Sequence, residues 1–213
     1  MRRIATHELM HLFQYTISQF HVEWMYESTA RWAEGFVHPQ DRGAVYSFPS
    51  FVYHTTSIWD DSRRLKLYSP HFWDFLDQAL DTSIPPKFWE RACGWDWMAT
   101  LGSTLAEHSV TFEQMLHQYA IWNYYTGTRD DGRHYRLPEL PEIEPEARFT
   151  GDPGAAHDLG AAHAEEAASN YLFFMGKASR ENLHVQLRGS PNWIENRMVS
   201  WVGTTGPNTH VEI

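Results

Sequence analysis

Ala5-Thr6-His7-Glu8-Leu9-Met10-His11-Leu12-Phe13-Gln14-Tyr15 sets both the chemistry and the architecture expected of this chain. His7 and His11 are four residues apart, so on a helix their imidazoles leave one face a single turn apart, the spacing that grips one metal ion. Glu8 projects about 100° round the helix from His7. That places it beside such an ion but outside its ligands, where a general base for a metal-held water belongs. Residues 2–19 contain neither Gly nor Pro, and Leu9, Met10, Leu12 and Phe13 are apolar, which predicts a buried helix. A catalytic zinc ion takes three protein ligands and leaves one position for a water, whose pKa it lowers to about 7. A third ligand must therefore come from elsewhere in the chain.

After a break at 20–22, the run from Glu23 to Glu34 is again mostly helical, with Val22, Met25, Ala30 and Ala33 among its apolar positions. Glu27 follows His11 closely enough for a second helix to turn back antiparallel and present a carboxylate to the ion. Glu23, Glu27 and Glu34 fall along one face, so geometry alone does not choose among them. The small neighbours Ser28, Thr29 and Ala30 would let two helices approach closely around Glu27. Glu34, just before Gly35 at a helix end, reads as solvent-exposed. The competing role for Glu27 is an i,i+4 ion pair with Arg31.

The run His7-Glu8-Leu9-Met10-His11 with Phe13-Gln14-Tyr15, followed by Trp24-Met25-Tyr26-Glu27-Ser28-Thr29-Ala30-Arg31-Trp32-Ala33-Glu34, resembles a family of secreted bacterial and archaeal proteins regarded as metallopeptidases and named after a myxobacterial prototype. Its pattern is approximately HExxHxxQ, then WxxEGTAxWxE. The family is of the gluzincin type, in which a glutamate on the second helix is the third zinc ligand. The resemblance implies that His7, His11 and Glu27 bind zinc and that Glu8 is the base. Ser28 stands where the family usually has Gly, which keeps a small residue there. Further likenesses are the tyrosine preceding the helix that opens at Ser69-Pro70, a short tryptophan-containing helix near Phe88 to Cys93, and the segment Ala120-Ile121-Trp122-Asn123-Tyr124-Tyr125-Thr126-Gly127. The resemblance covers roughly residues 4 to 145.

Composition narrows the alternatives. Of 213 residues, 42% are hydrophobic and 15% aromatic, including 10 Trp, which is enough for a packed core. A formal charge of −10 argues against nucleic-acid or anionic-membrane partners, since both need clustered Lys and Arg. The lone cysteine, Cys93, excludes an internal disulfide and a thiolate-rich zinc site. No apolar stretch is long enough for a membrane span. Met1-Arg2-Arg3 leads straight into the histidine motif and not into an apolar segment, so no signal peptide is read; secretion is implied by the resemblance alone. In metallopeptidases of this kind the site helix packs under a sheet. None precedes it here, so an N-terminal portion is expected to be missing and an apolar face of the helix to be left uncovered.

Beyond Phe36 the sequence is aromatic and irregular to Ser69, with Tyr46, Tyr53 and His54 as possible lining of a cleft. Helices are expected from His71 to about Leu80, from Phe88 to Cys93, and from Trp95 to Glu107 with a stripe of Met98, Leu101 and Leu105. Thr111-Phe112-Glu113-Gln114 is a capping box opening another helix, ended by Gly127. Leu137 to Glu146 is Pro-rich and acidic, a linker by composition. Asn170 to Phe174, Asn182 to Leu187 and Met198 to Val202 read as strands. The expected fold is therefore mainly α, a helical zincin-like catalytic half over 1–146 lacking its upstream sheet, followed by a partial antiparallel β-sandwich over 147–213. His157 and His163, in a Gly/Ala-rich connection, read as no further metal cluster.

The function expected is zinc-dependent hydrolysis of peptide bonds in a peptide or protein substrate, with Glu8 taking a proton from the attacking water and delivering it to the leaving amine. Gluzincins also use a His or Tyr against the tetrahedral oxyanion. Tyr46, Tyr68 and Tyr135 are available, and Tyr68 is the choice made here. The alternative is a non-catalytic carbohydrate- or surface-binding protein using its many Trp and Tyr.

Overall fold

A computed structural model describes residues 2–18, 22–41, 58, 70–92, 96–136 and 140–143, together with four short strands. The helices are α1 (Arg2–Ile17), α2 (Glu23–Val37), α3 (Pro70–Ala79), α4 (Ile84–Arg91), α5 (Trp97–Ala106) and α6 (Phe112–Tyr124). The chain divides into two compact units, Met1–Glu144 with Ala164–Ser169, and Pro145–His163 with Asn170–Ile213.

Helix α2 is the centre of the first unit. Trp24, Met25, Tyr26, Ser28, Thr29, Ala30, Trp32, Ala33 and Glu34 are all buried along it. One side meets α1 and another meets α3. The α3 side is aromatic: Trp24 stacks on Trp73 with centroids 6.5 Å apart, and Trp73 is itself packed on Phe72 and Phe88. Burying each such indole removes roughly 150–250 Å² from water, worth about 4–6 kcal/mol before ordering costs. Three indole N–H groups find acceptors as well. Trp73 Nε1 donates to Ser28 Oγ at 2.8 Å, Trp89 Nε1 to Thr29 Oγ1 at 3.1 Å, and Trp32 Nε1 to Asp77 Oδ2 at 3.4 Å. Ser28 thus gives the indole an acceptor that glycine lacks.

Local signals set the remaining boundaries. Pro85 and Pro86 occupy the first turn of α4, where their missing N–H groups cost nothing. Asp96 caps α5 by accepting from the Ala99 amide at 3.0 Å, and Thr111 and Gln114 form a reciprocal capping box on α6. In the α5 stripe Leu101 and Leu105 are buried, but Met98, one turn earlier, is exposed. Gly127 comes after the Tyr125 cap with φ +60°, and a Cβ there would sit 2.8 Å from the Glu142 nitrogen. Only glycine relieves both constraints.

Helix α1 is less buried than its apolar run suggested, and the uncovered apolar face expected of it is present. Gln14 is its one fully buried side chain; among the described elements α1 packs mainly on α2 and touches α4. Its other side exposes Ile4, Leu9 (66%), Leu12 and Phe13 (42%), an uncovered apolar row. Among the described residues no helix is long and apolar enough to cross a membrane.

The antiparallel β-sandwich is contradicted. Helix dominates the described residues, and the strands β1 (Ala147–Thr150), β2 (Leu172–Met175), β3 (His184–Gln186) and β4 (His210–Glu212) pair two by two and in parallel. β1 runs alongside β2 with Ala147 opposite Leu172, and β3 alongside β4 with His184 opposite His210. A parallel pair needs a crossover of about a dozen residues or more. The sequence stretches 151–171 and 187–209 are long enough for one, whereas regular short spacing suggested hairpins. β1 and β4 lie where no strand was read, and the run expected from Met198 to Val202 lies outside the described residues.

Candidate metal centre

Contacts between α1 and α2 pair early residues of one with late residues of the other: Thr6 with His38, His7 with Glu34, His11 with Glu27, and Gln14 with Tyr26 and Thr29. The two helices are therefore antiparallel, as a returning second helix requires. On α1, His7 and His11 share one face with their rings edge to face, 4.6 Å between centroids. On α2, Glu27 lies across from both.

His7 Nε2 is 3.0 Å from His11 Nε2 and 3.4 Å from Glu27 Oε2, and His11 Nε2 is 3.5 Å from Glu27 Oε1. A tetrahedral ion with bonds of about 2.0–2.2 Å has ligand-to-ligand edges of roughly 3.3–3.6 Å. The observed triangle is within a few tenths of an ångström of that shape, and these three residues form a group able to hold a metal ion. The donor set suits zinc but does not by itself choose it over other divalent metals.

The protonation pattern strengthens the fit. His7 Nδ1 faces Glu34 Oε1 at 2.9 Å, and His11 Nδ1 faces Gln14 Oε1 at 2.8 Å. Gln14 is fully buried, and its amide orientation is set by its other end, where Nε2 donates to the Tyr26 carbonyl at 3.1 Å and to Thr29 Oγ1 at 2.6 Å. When the rings are neutral, each Nδ1 therefore carries the proton, and both Nε2 lone pairs are left to face the Glu27 carboxylate. In that state three acceptors meet with no donor of their own. Without an ion the cluster recruits protons: burial opposes charging His7, but the Glu27 and Glu34 carboxylates outweigh it and push its pKa up to about 9. Glu27 likewise raises the pKa of His11 against its burial. The His11 and His7 hydrogen bonds hold the Glu27 carboxyl far below the usual carboxylate range.

The other expected residues fare differently. Glu8 is exposed on α1, one position after His7. Glu27 makes no ion pair with Arg31, which instead reaches Glu34 Oε1 at 3.5 Å. Glu34 is not exposed: its side chain retains 5% of its accessible surface, and it backs His7. The sequence signal existed, since Glu34 is seven residues beyond Glu27 on the same face. Gln14, three residues after His11, is the other partner whose role was not read. Tyr135 is buried and donates to Asn123 Oδ1 at 2.6 Å, so its hydroxyl is already committed. Tyr68, with Tyr46, Tyr53 and His54, lies outside the described residues.

Comparison with family models, curated proteins and solved structures finds no match to this chain.

Proposed function

We propose that this chain carries the catalytic centre of a zinc-dependent peptidase, with His7, His11 and Glu27 as ligands and Glu8 as general base. One observation supports it above the rest: two imidazole Nε2 atoms and one carboxylate converge at 3.0 to 3.5 Å, with Glu34 and Gln14 placed behind the rings to hold the proton of each neutral imidazole on Nδ1. A bound zinc ion would polarise a scissile carbonyl and acidify a water at the open position. Glu8, adjacent in sequence to His7 and exposed, is free to accept that water's proton and return it to the leaving amine. Kinship with the secreted peptidase family, and secretion itself, belong to the same proposal and rest on the quoted motifs. Trp24, Trp32, Trp73 and Trp89 are core residues, so they offer no aromatic surface to a carbohydrate.

Metal analysis of the purified chain, read beside peptide hydrolysis, tests this reading. About one zinc per chain is expected, lost in His7→Ala and retained in Glu8→Gln. A wild-type protein that takes up no zinc would contradict it.

A further inference from the structure

The two histidines are backed by chemically different partners. His7 Nδ1 meets a carboxylate, Glu34, whereas His11 Nδ1 meets a neutral amide, Gln14. Both partners are buried, and both accept the same kind of N–H. Burying a carboxylate costs more than burying an amide. The Arg31 guanidinium, 3.5 Å from Glu34 Oε1, offsets part of that cost and holds the carboxylate in place. Since Gln14 shows that an amide suffices to fix a ring, the charge on Glu34 adds something that orientation alone does not require. A carboxylate behind an imidazole increases the electron density at the opposite nitrogen and so strengthens it as a metal donor.

Resting on the metal-centre reading above, we propose that Glu34 is the positioning residue of this centre, acting through His7 to aim its Nε2 at Glu27 and to strengthen it as a donor, while Gln14 governs only the orientation of His11. Glu34 touches neither the ion nor a substrate. Its influence is confined to one of the two histidines, which makes the two nitrogen donors unequal.

The test is zinc affinity, measured with the whole chain by competition against a chromogenic chelator, for wild type, Glu34→Gln, Glu34→Ala and His7→Ala. Cobalt(II) absorption spectra and metal-free thermal midpoints are recorded alongside. Glu34→Gln keeps an acceptor for His7 but removes the charge, so it should weaken zinc about tenfold, move the cobalt bands and leave the metal-free midpoint near wild type. Glu34→Ala should weaken zinc by up to about a hundredfold. Should Glu34→Ala fail to fold, Glu34→Gln decides alone. Wild-type affinity and an unmoved cobalt spectrum in Glu34→Gln, with metal lost in His7→Ala, would overturn the positioning role and leave the metal centre standing. A wild-type chain that binds neither zinc nor cobalt would overturn both.

Discussion

His7 on α1 and Glu27 on α2 bring Nε2 and Oε2 to 3.4 Å across the interface of two antiparallel helices. Neither atom has a donor to offer the other while His7 is neutral, because its proton is held on Nδ1 by Glu34. The contact is therefore stable only with a cation between the two atoms or a second proton on the imidazole. That requirement makes the centre sensitive to metal, to pH and to the residues behind the ring.

Glu27→Ala should loosen zinc by at least tenfold more than Glu23→Ala, because Glu27 alone of the two faces both histidines and Glu23 is exposed at the start of α2. Chelator competition on the two variants checks this. Equal affinities would remove Glu27 from the ligand set.

Glu8→Gln should retain zinc and fold while lowering peptide turnover by roughly 10²–10⁴, the usual contribution of a positioned general base. Turnover is compared at matched metal content. Unchanged turnover would take Glu8 out of the mechanism.

Stability should depend on pH in opposite senses with and without metal. The folded pKa of His7 in the metal-free chain is raised from 6.5 to about 9, so its contribution is fully present below pH 6.5 and is lost as pH climbs through 9. His11 shifts in the same direction. Zinc competes with those protons, so the gap between zinc-loaded and chelated thermal midpoints should widen from pH 6.5 to 9. Parallel curves, or the same widening in His7→Gln, would count against the cluster.

Thr29 supports the site from beneath. Its Oγ1 accepts from Gln14 Nε2 and Trp89 Nε1 and donates to the Met25 carbonyl at 2.6 Å. Thr29→Val keeps the shape but leaves two buried donors without an acceptor, at a cost of roughly 2–4 kcal/mol. It should also loosen Gln14, and through it His11. Denaturant unfolding together with zinc titration reads both effects.

Much of the centre was legible in the sequence because it depends on local geometry. An i,i+4 histidine pair and a glutamate on a returning helix are fixed by helical periodicity, and the structure brings His7, His11 and Glu27 together. The capping box at Thr111 and the prolines opening α4 are equally local. What was misread depends on the neighbour. Glu34 looked like a helix-end surface residue because its partner, His7, is distant in sequence. Helix α1 is less buried than its apolar run suggested, since apolar residues were counted without their neighbours, although the uncovered apolar face expected of it is present. Parallel rather than antiparallel pairing of the strands is a matter of how the chain returns, which period-two alternation does not encode.

The central claim is that His7, His11 and Glu27 together hold one metal ion, and X-ray absorption at the zinc edge of the loaded protein tests it most directly. The site requires a first shell of nitrogen and oxygen only, at about 2.0–2.2 Å, with the multiple-scattering pattern of two imidazoles that falls to one in His11→Ala. A sulfur neighbour at about 2.3 Å, or a spectrum unchanged in His11→Ala, would place the metal elsewhere and contradict it.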